Sequence, residues 1–387
     1  MFRSKNRAAL PFCAMLAILS GCTQGAGTVP PNAATATSRS VQSQPEAVVP
    51  ADSTSILKKL NTDVVIGSTV DPNNGDQGPH SLAIVKLNYG LQKGQLLVCN
   101  FADSSGTPGN GTTIEVLNPT PSSSPVQFAQ SNDIKGCDGT AISSGNQVYA
   151  TGLSSGLMTW FDQTGKEQTT YGSPLVAPFS IGDVYTGKMY ASEYMFAGDA
   201  QTGSIVSIGT SGYATGFDVQ VATGFAVGTA SQTGWKTLAP SGMAYSKKGD
   251  SLYIADGVSN TIVGFTHASS LLVKNEIVVL PGGKKFKCLH KKTTCGKLVL
   301  SGSPLNAPVA MTILPNGNMI AANTIAGTSG GNMLVELTPK GQILDTKVLD
   351  SGPAPAVFGL AASGTNDNNT VVYYTDTNDN SVHELKP

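Results

Sequence analysis

The residues Lys284–Cys295, KKFKCLHKKTTC, gather five lysines, two cysteines and a histidine in a chain of which only 13% is charged. Three chemistries could use such a set: a metal site, a grip on a polyanion, or a disulfide-stapled loop. Two cysteines and one histidine fall short of a closed zinc shell, and a disulfide would consume both sulfurs. The chain as a whole has a net charge of -1, so nothing global points to nucleic acid. Other signatures are absent: no GxSxG nucleophile elbow, no HExxH, no GxxxxGK[ST]. The glycine-rich GTPGNGTT, Gly106–Thr113, joins two strands and opens no helix, so it reads as a loop and not a phosphate cradle. The four histidines, His80, His267, His290 and His383, are too scattered for a three-histidine zinc site.

Which chemistry the cysteines do depends on compartment. Arg3, Lys5 and Arg7 precede a mostly apolar run, Ala8–Leu19, too short to span a bilayer and flanked like an export signal. The run ends Leu19-Ser20-Gly21-Cys22, which resembles the bacterial lipoprotein lipobox. The resemblance implies cleavage before Cys22 and a diacylglyceryl group on its thiol. Thr23 stands where an inner-membrane retention signal has Asp, which favours an outer membrane where the host has one. Residues 22–50 are rich in Ala, Thr, Ser, Pro and Gln, with too little apolar surface to fold, and read as a tether. The expected organisation is a signal peptide over 1–21, a lipidated tether over 22–50 and a folded domain over 51–387.

That domain repeats itself. APSGMAYSKKGDSLYIADGVSNTIVGF (239–265) and AVFGLAASGTNDNNTVVYYTDTNDNSVHEL (356–385) share a small-residue strand, a polar turn, a strand ending in Asp and a third alternating strand. The opening strands align as a column Pro79, Cys137, Pro178, Pro240, Pro308, Val357, and the second strands as LLVCN, VYATG, MYASE, LYIAD, MIAAN and VYYTD. No long stretch has a helical apolar period. Six such units predict an all-β, six-bladed propeller, with small residues where strands converge at the axis. The last unit has three strands, so TDVVIGSTV, Thr62–Val70, is expected to supply its fourth and close the ring. LYIADGVSNTIVGF is similar to the NHL pattern, and the whole resembles six-bladed NHL-repeat and SMP-30/gluconolactonase propellers.

Two columns should line the channel mouth. The first is His80, Asp138, Phe179, Ser241, Val309, Phe358; the second is Asn100, Gly152, Glu193, Asp256, Asn323, Asp376. The SMP-30 resemblance implies a divalent metal held by Glu, Asn and Asp at the first kind of position. Three of those positions are apolar here and none is Glu; Asp138 is the one carboxylate, with His80 beside it, and Asp76 is offset by one residue. The second column could hold a cation or polyol, but Asp and Asn at strand ends more often shape turns. Glu193 is its exception, ahead of a longer loop.

Export makes the thiols pair, and four cysteines allow three connectivities. Cys288–Cys295 flanks a short turn, and Cys99 and Cys137 come from adjacent units, so these two bridges are favoured. KKFKCLHKKTTC then becomes a stapled hairpin within an insertion at about 280–300, presenting Lys284, Lys285, Lys287, Lys291, Lys292 and Lys297 to solvent or to an anionic partner. The expected function is a lipid-anchored envelope binding or scaffold protein: membrane-attached, monomeric, with no nucleic-acid partner and no cofactor, its ligand being an envelope protein, glycan or anionic lipid. The alternative is a metal-dependent hydrolase (lactonase) or lyase with Ca²⁺ or another divalent ion in the channel, using His80, Asp138, Glu193 and Asp256.

Overall fold

In the computed structural model the residues described are 54–185, 193–210, 218–228, 238–324, 332–350, 352–353 and 355–387. Cys22 and the tether lie outside them. The strands form six sheets arranged in a ring, antiparallel throughout except for one parallel pair described below. Blade 1 runs Gln77–Ile84, Leu96–Ala102, Thr113–Leu117, Val126–Gln130; blade 2 runs Cys137–Ile142, Val148–Gly152, Leu157–Phe161, Glu167–Tyr171. Blade 3 begins Pro178–Tyr185, Glu193–Asp199, Ser204–Gly209, Asp218–Thr223. Blade 4 is Met243–Ser246, Ser251–Asp256, Thr261–Thr266 and Cys295–Ser301, and blade 5 is Pro308–Ile313, Met319–Asn323, Asn332–Leu337 and Ile343–Asp350.

Blade 6 takes three strands from the C-terminus, Leu360–Ser363, Val371–Asp376 and Ser381–Lys386, and its outermost strand, Thr62–Ser68, from the other end of the chain. This is the closure expected from the sequence. Each inner strand packs on the next all the way round. The core is six apolar seams, one per pair of neighbouring blades; that between blades 6 and 1 holds Ile66, Leu82, Leu96, Val98, Leu117, Ala361, Tyr373 and Val382. Small residues are needed at the axis because the backbones meet there. A Cβ on Gly242 would sit 2.5 Å from the Ala310 Cα, and one on Gly359 would sit 2.8 Å from the Ser81 carbonyl carbon.

Side chains reinforce the closure. Tyr374 donates from its hydroxyl to Asp63 Oδ2 at 2.6 Å, and His383 Nδ1 lies 3.1 Å from Asp63 Oδ1. Ahead of the closing strand, a 3-10 turn, Leu57–Lys59, is held by Glu336, whose carboxylate accepts from Ser55 Oγ (2.8 Å), Ile56 N (3.1 Å) and Leu57 N (2.8 Å).

Two expectations are corrected. The second strand of blade 3 is Glu193–Asp199, not MYASE, because Pro178 pairs with Asp199 and Tyr185 with Glu193; residues 186–192 lie outside the described residues. The insertion is not a free hairpin between the two cysteines either. Ile277–Val279 adds in parallel to Asp218–Thr223 and pairs with Phe286–Cys288, widening blade 3 to six strands, while Cys295 opens the outer strand of blade 4. The Cys288–Cys295 bridge therefore ties two blades together, and Cys99–Cys137 likewise links blades 1 and 2.

Candidate functional site at the channel mouth

The first column is a structural class. In blades 1, 2, 3 and 5 the ladder shifts between Pro79 and Ser81, Cys137 and Gly139, Pro178 and Ser180, and Pro308 and Ala310. His80, Asp138, Phe179 and Val309 are the extra residues of these bulges. A bulge leaves one residue unpaired and re-aims its side chain, here at the start of each inner strand. Ser241 is tied down, its hydroxyl shared between the Pro308 carbonyl (2.8 Å) and the Ala255 carbonyl (3.0 Å).

His80 and Asp138 meet across blades 1 and 2, with Nδ1 2.8 Å from Oδ1. The imidazole is also clamped face to face between Phe101, centroids 4.1 Å apart, and Phe358, 3.9 Å apart. Two parallel rings fix its plane and the carboxylate fixes its rotation, so the Nδ1 edge is committed and the Nε2 edge remains. Asp138 is fully buried. Burial pushes its carboxyl up to about 6 against the opposing pull of His80. Its Oδ2 has no hydrogen-bond partner, and the residue lines a small axial void of about 60 Å³ with Phe179 and Val309.

Outside this void, His80, Phe101 and Phe358 line a cavity of about 290 Å³ whose rim is Gln77, Gly106, Pro108, Pro355, Thr377 and Asn380. The rim is braced: Asn380 accepts from Gly78 N (2.8 Å) and donates to Gln77 Oε1 (3.2 Å). The GTPGNGTT loop forms one side, as a loop, shaped by Asp103. That carboxylate accepts from Ser105 Oγ and Thr107 N, contacts that hold its pKa down at about 2.

The second column does turn work. Asp256 accepts from Ser259 N (2.7 Å), Asp376 from Asn378 N (2.8 Å) and Asn323 from Asn306 N (3.1 Å), while Asn100 donates to the Thr69 carbonyl (2.8 Å). Glu193 is not in it. The matching residue is Asp199, whose carboxylate accepts from Ala177, Gln201 and Thr202 amides. Glu193 sits at the other end of the blade, where its carboxylate accepts from Ser144 N (2.7 Å); burial, then the charge of Asp183, lifts it to about 7. Sequence reasoning missed Asp199, though GDAQTG repeats the turn signal of ADGVSN and TDTNDN. It also missed Phe101, which follows the aligned segment LLVCN and carried no repeat signal.

The metal set implied by the SMP-30 resemblance does not fit this channel. With Phe179, Val309 and Phe358 at inner positions and Asp138 committed to His80, too few oxygens converge to hold a hard cation there. Among the described residues, Asp376, Asp379 and His383 lie close enough to share an ion, but both nitrogens of His383 already meet carboxylates, Asp63 and Asp379.

The six lysines of the insertion are all exposed, and Leu289 at its tip is 61% exposed. Beneath them Glu276 is buried; it accepts from Val273 N (3.2 Å) and Thr294 Oγ1 and lies 3.1 Å from His290 Nδ1. It thereby holds the Cys288–Cys295 loop against the Leu272–Val273 loop.

No protein-family model and no curated protein matches the chain. Solved structures share its shape. A gluconolactonase from Xanthomonas campestris superposes with a TM-score of 0.51 at 10% identity, over 80% of this chain and 87% of that one. A putative gluconolactonase gives 0.49 at 10% identity, over 87% and 97%. Virginiamycin B lyase from Staphylococcus aureus gives 0.46 at 14% identity, over 84% and 88%. At such identities the likeness concerns fold. Six blades in a ring, the last completed by an N-terminal strand, make the chain a six-bladed β-propeller, the fold it shares with the Xanthomonas gluconolactonase.

Proposed function

We propose that the propeller is a small-molecule binding protein whose ligand occupies the channel-mouth cavity and meets His80 Nε2. The observation that carries this is the clamped imidazole: a ring stacked on both faces and anchored at Nδ1 presents one polar atom in fixed geometry to a cavity with aromatic walls. About 290 Å³ is at the small end of ligand pockets, which span ~300–1,000 Å³, and suits a compact ligand with one apolar face and one hydrogen-bonding group. A screen of small polar metabolites by shift in unfolding temperature tests it. Hits should lose at least tenfold in affinity in His80→Phe; hits that ignore that change, or no hits at all, would remove the proposal.

A second reading is favoured by the same pair. A carboxylate that fixes the tautomer of an imidazole is how a general base is oriented, so the site could support metal-free elimination or hydrolysis of the bound ligand. Turnover that falls in Asp138→Asn while KM holds would select it.

The envelope setting belongs to the same proposal. Support comes from the signal-like N-terminus ending at Cys22 and from two cysteine pairs at disulfide distance, which suit an oxidising compartment. The lysine-rich insertion, with exposed Leu272, Val273 and Leu289 beside it, is proposed to rest on an anionic lipid surface. Lys284, Lys285, Lys287, Lys291 and Lys292 changed together to Gln should abolish salt-sensitive binding to anionic vesicles; unchanged binding ends this part.

A further inference from the structure

The seam between blades 6 and 1 contains buried oxygens with nothing to bind. Asn100 and Glu115 are 0% exposed and Asp71 is 2% exposed. Asn100 Oδ1, both carboxylate oxygens of Glu115 and Asp71 Oδ2 have no hydrogen-bond partner. Buried polar atoms are normally paired, so four orphaned acceptors in one neighbourhood call for an explanation.

The fold brings them together. Val98 pairs with Glu115 and Cys99 with Ile114, so Asn100, Val98 and Glu115 share one face of blade 1 by strand alternation. Val98 places that face against blade 6. The connection from the closing strand to blade 1, VDPNNGD (70–76), folds over it. Asp76 fastens that connection, accepting from Thr112 N (2.7 Å) and Thr112 Oγ1 (2.9 Å). Asp71 Oδ1 accepts from Asn73 N (2.7 Å) and Asn74 N (2.6 Å), which leaves Oδ2 over, and the carboxyl abuts that of Glu115. None of the ion pairs among the described residues involves Asp71, Asp76 or Glu115. The unpartnered donor nearby is Gln127 Nε2, in the strand position opposite Glu115.

Two carboxylates cannot abut in a buried seam while both are ionised, unless a positive charge lies between them. We propose that this seam binds one hard divalent cation, Ca²⁺ by its oxygen-only donors, held by Asp71 and Glu115 with Asn100 beside them. The four protein oxygens are fewer than the ~6–8 that Ca²⁺ takes, so water completes the shell. The site lies apart from the His80 cavity and is independent of the ligand proposed there.

The test is calorimetric titration of CaCl₂ into chelator-stripped protein at pH 7.5, with elemental analysis after dialysis. The expected result is about one Ca²⁺ per chain and a higher unfolding temperature. Affinity should fall at least tenfold in Glu115→Gln and in Asp71→Asn, the second variant serving if the first does not fold. No retained Ca²⁺, no heat and an unmoved unfolding temperature at millimolar Ca²⁺ would overturn the proposal and leave a proton-sharing carboxyl pair. Binding that survives both substitutions would overturn it equally, by placing the ion elsewhere.

Discussion

Asp138→Asn should change how stability depends on pH. Asparagine keeps the shape of the side chain and an acceptor for His80, but it cannot ionise. In the wild type, burial lifts the carboxyl from 3.8 to about 6, with His80 pulling the other way. A folded-state value above the unfolded one means that folding favours the neutral acid. Stability is therefore lost as pH rises from 3.8 through 6, and the loss is complete above that. At about 1.4 kcal/mol per unit, some two units correspond to about 3 kcal/mol. Urea unfolding of both proteins from pH 4 to pH 8, disulfides intact, reads this directly: the variant-minus-wild-type difference should grow by about 2–2.5 kcal/mol between pH 4 and pH 7, the rest having been lost below pH 4. Repeating the pair in a His80→Gln background removes the pull of the imidazole on Asp138, so the difference should grow further. Parallel profiles would refute the reasoning, because they would mean that Asp138 is solvated or fully compensated. If the substitution stabilises the protein and weakens ligand binding, the buried carboxylate is retained at a cost to the fold for the sake of His80.

Phe358→Ala removes one slab of the clamp and should cost about 3 kcal/mol, the low end for a buried phenylalanine because the ring borders a cavity; the His80 ring should then become mobile on the NMR timescale. The two disulfides should contribute unequally by loop length. Replacing Cys99 and Cys137, 38 residues apart, should cost about 4 kcal/mol, and replacing Cys288 and Cys295, 7 apart, about 2–3 kcal/mol, read from denaturant midpoints. His383 is pulled down by burial but pushed up further by Asp63 and Asp379, so its folded value is raised above 6.5. Its contribution is full below 6.5 and is lost as pH rises through the folded value. Hydrogen exchange of closing-strand amides should therefore accelerate beyond intrinsic base catalysis on the alkaline side of 6.5, and His383→Gln should abolish that excess.

Legibility followed the repeat. A proline column in four of six units and short apolar second strands mark most blades, so the ring, its closure by the strand beginning at Thr62 and both cysteine pairs could be read from the sequence. Where one unit departs from the others the reading slipped. Blade 3 offered two apolar runs in sequence, MYASE and EYMFAGD, and only pairing with Pro178 decides that Asp199 and not Glu193 faces the mouth. The insertion carries no repeat at all, and its parallel pairing with blade 3 is a long-range contact that no local pattern encodes. The bulges that aim His80 and Asp138 are likewise invisible, since a ladder shift changes no residue type. Glu115 carries no repeat signal, and its burial comes from long-range packing that no local pattern encodes.

The Glu336 clamp has a mechanical meaning. Its carboxylate grips the chain at Ser55, Ile56 and Leu57, a few residues before the closing strand begins at Thr62. Any tension arriving along the N-terminal segment is thus delivered to blade 5, where Glu336 lies in a central strand, before it reaches the seam that closes the ring. The propeller carries its own strain relief: a tug on the leading chain loads three hydrogen bonds in an interior strand and spares the one strand whose departure would open the circle.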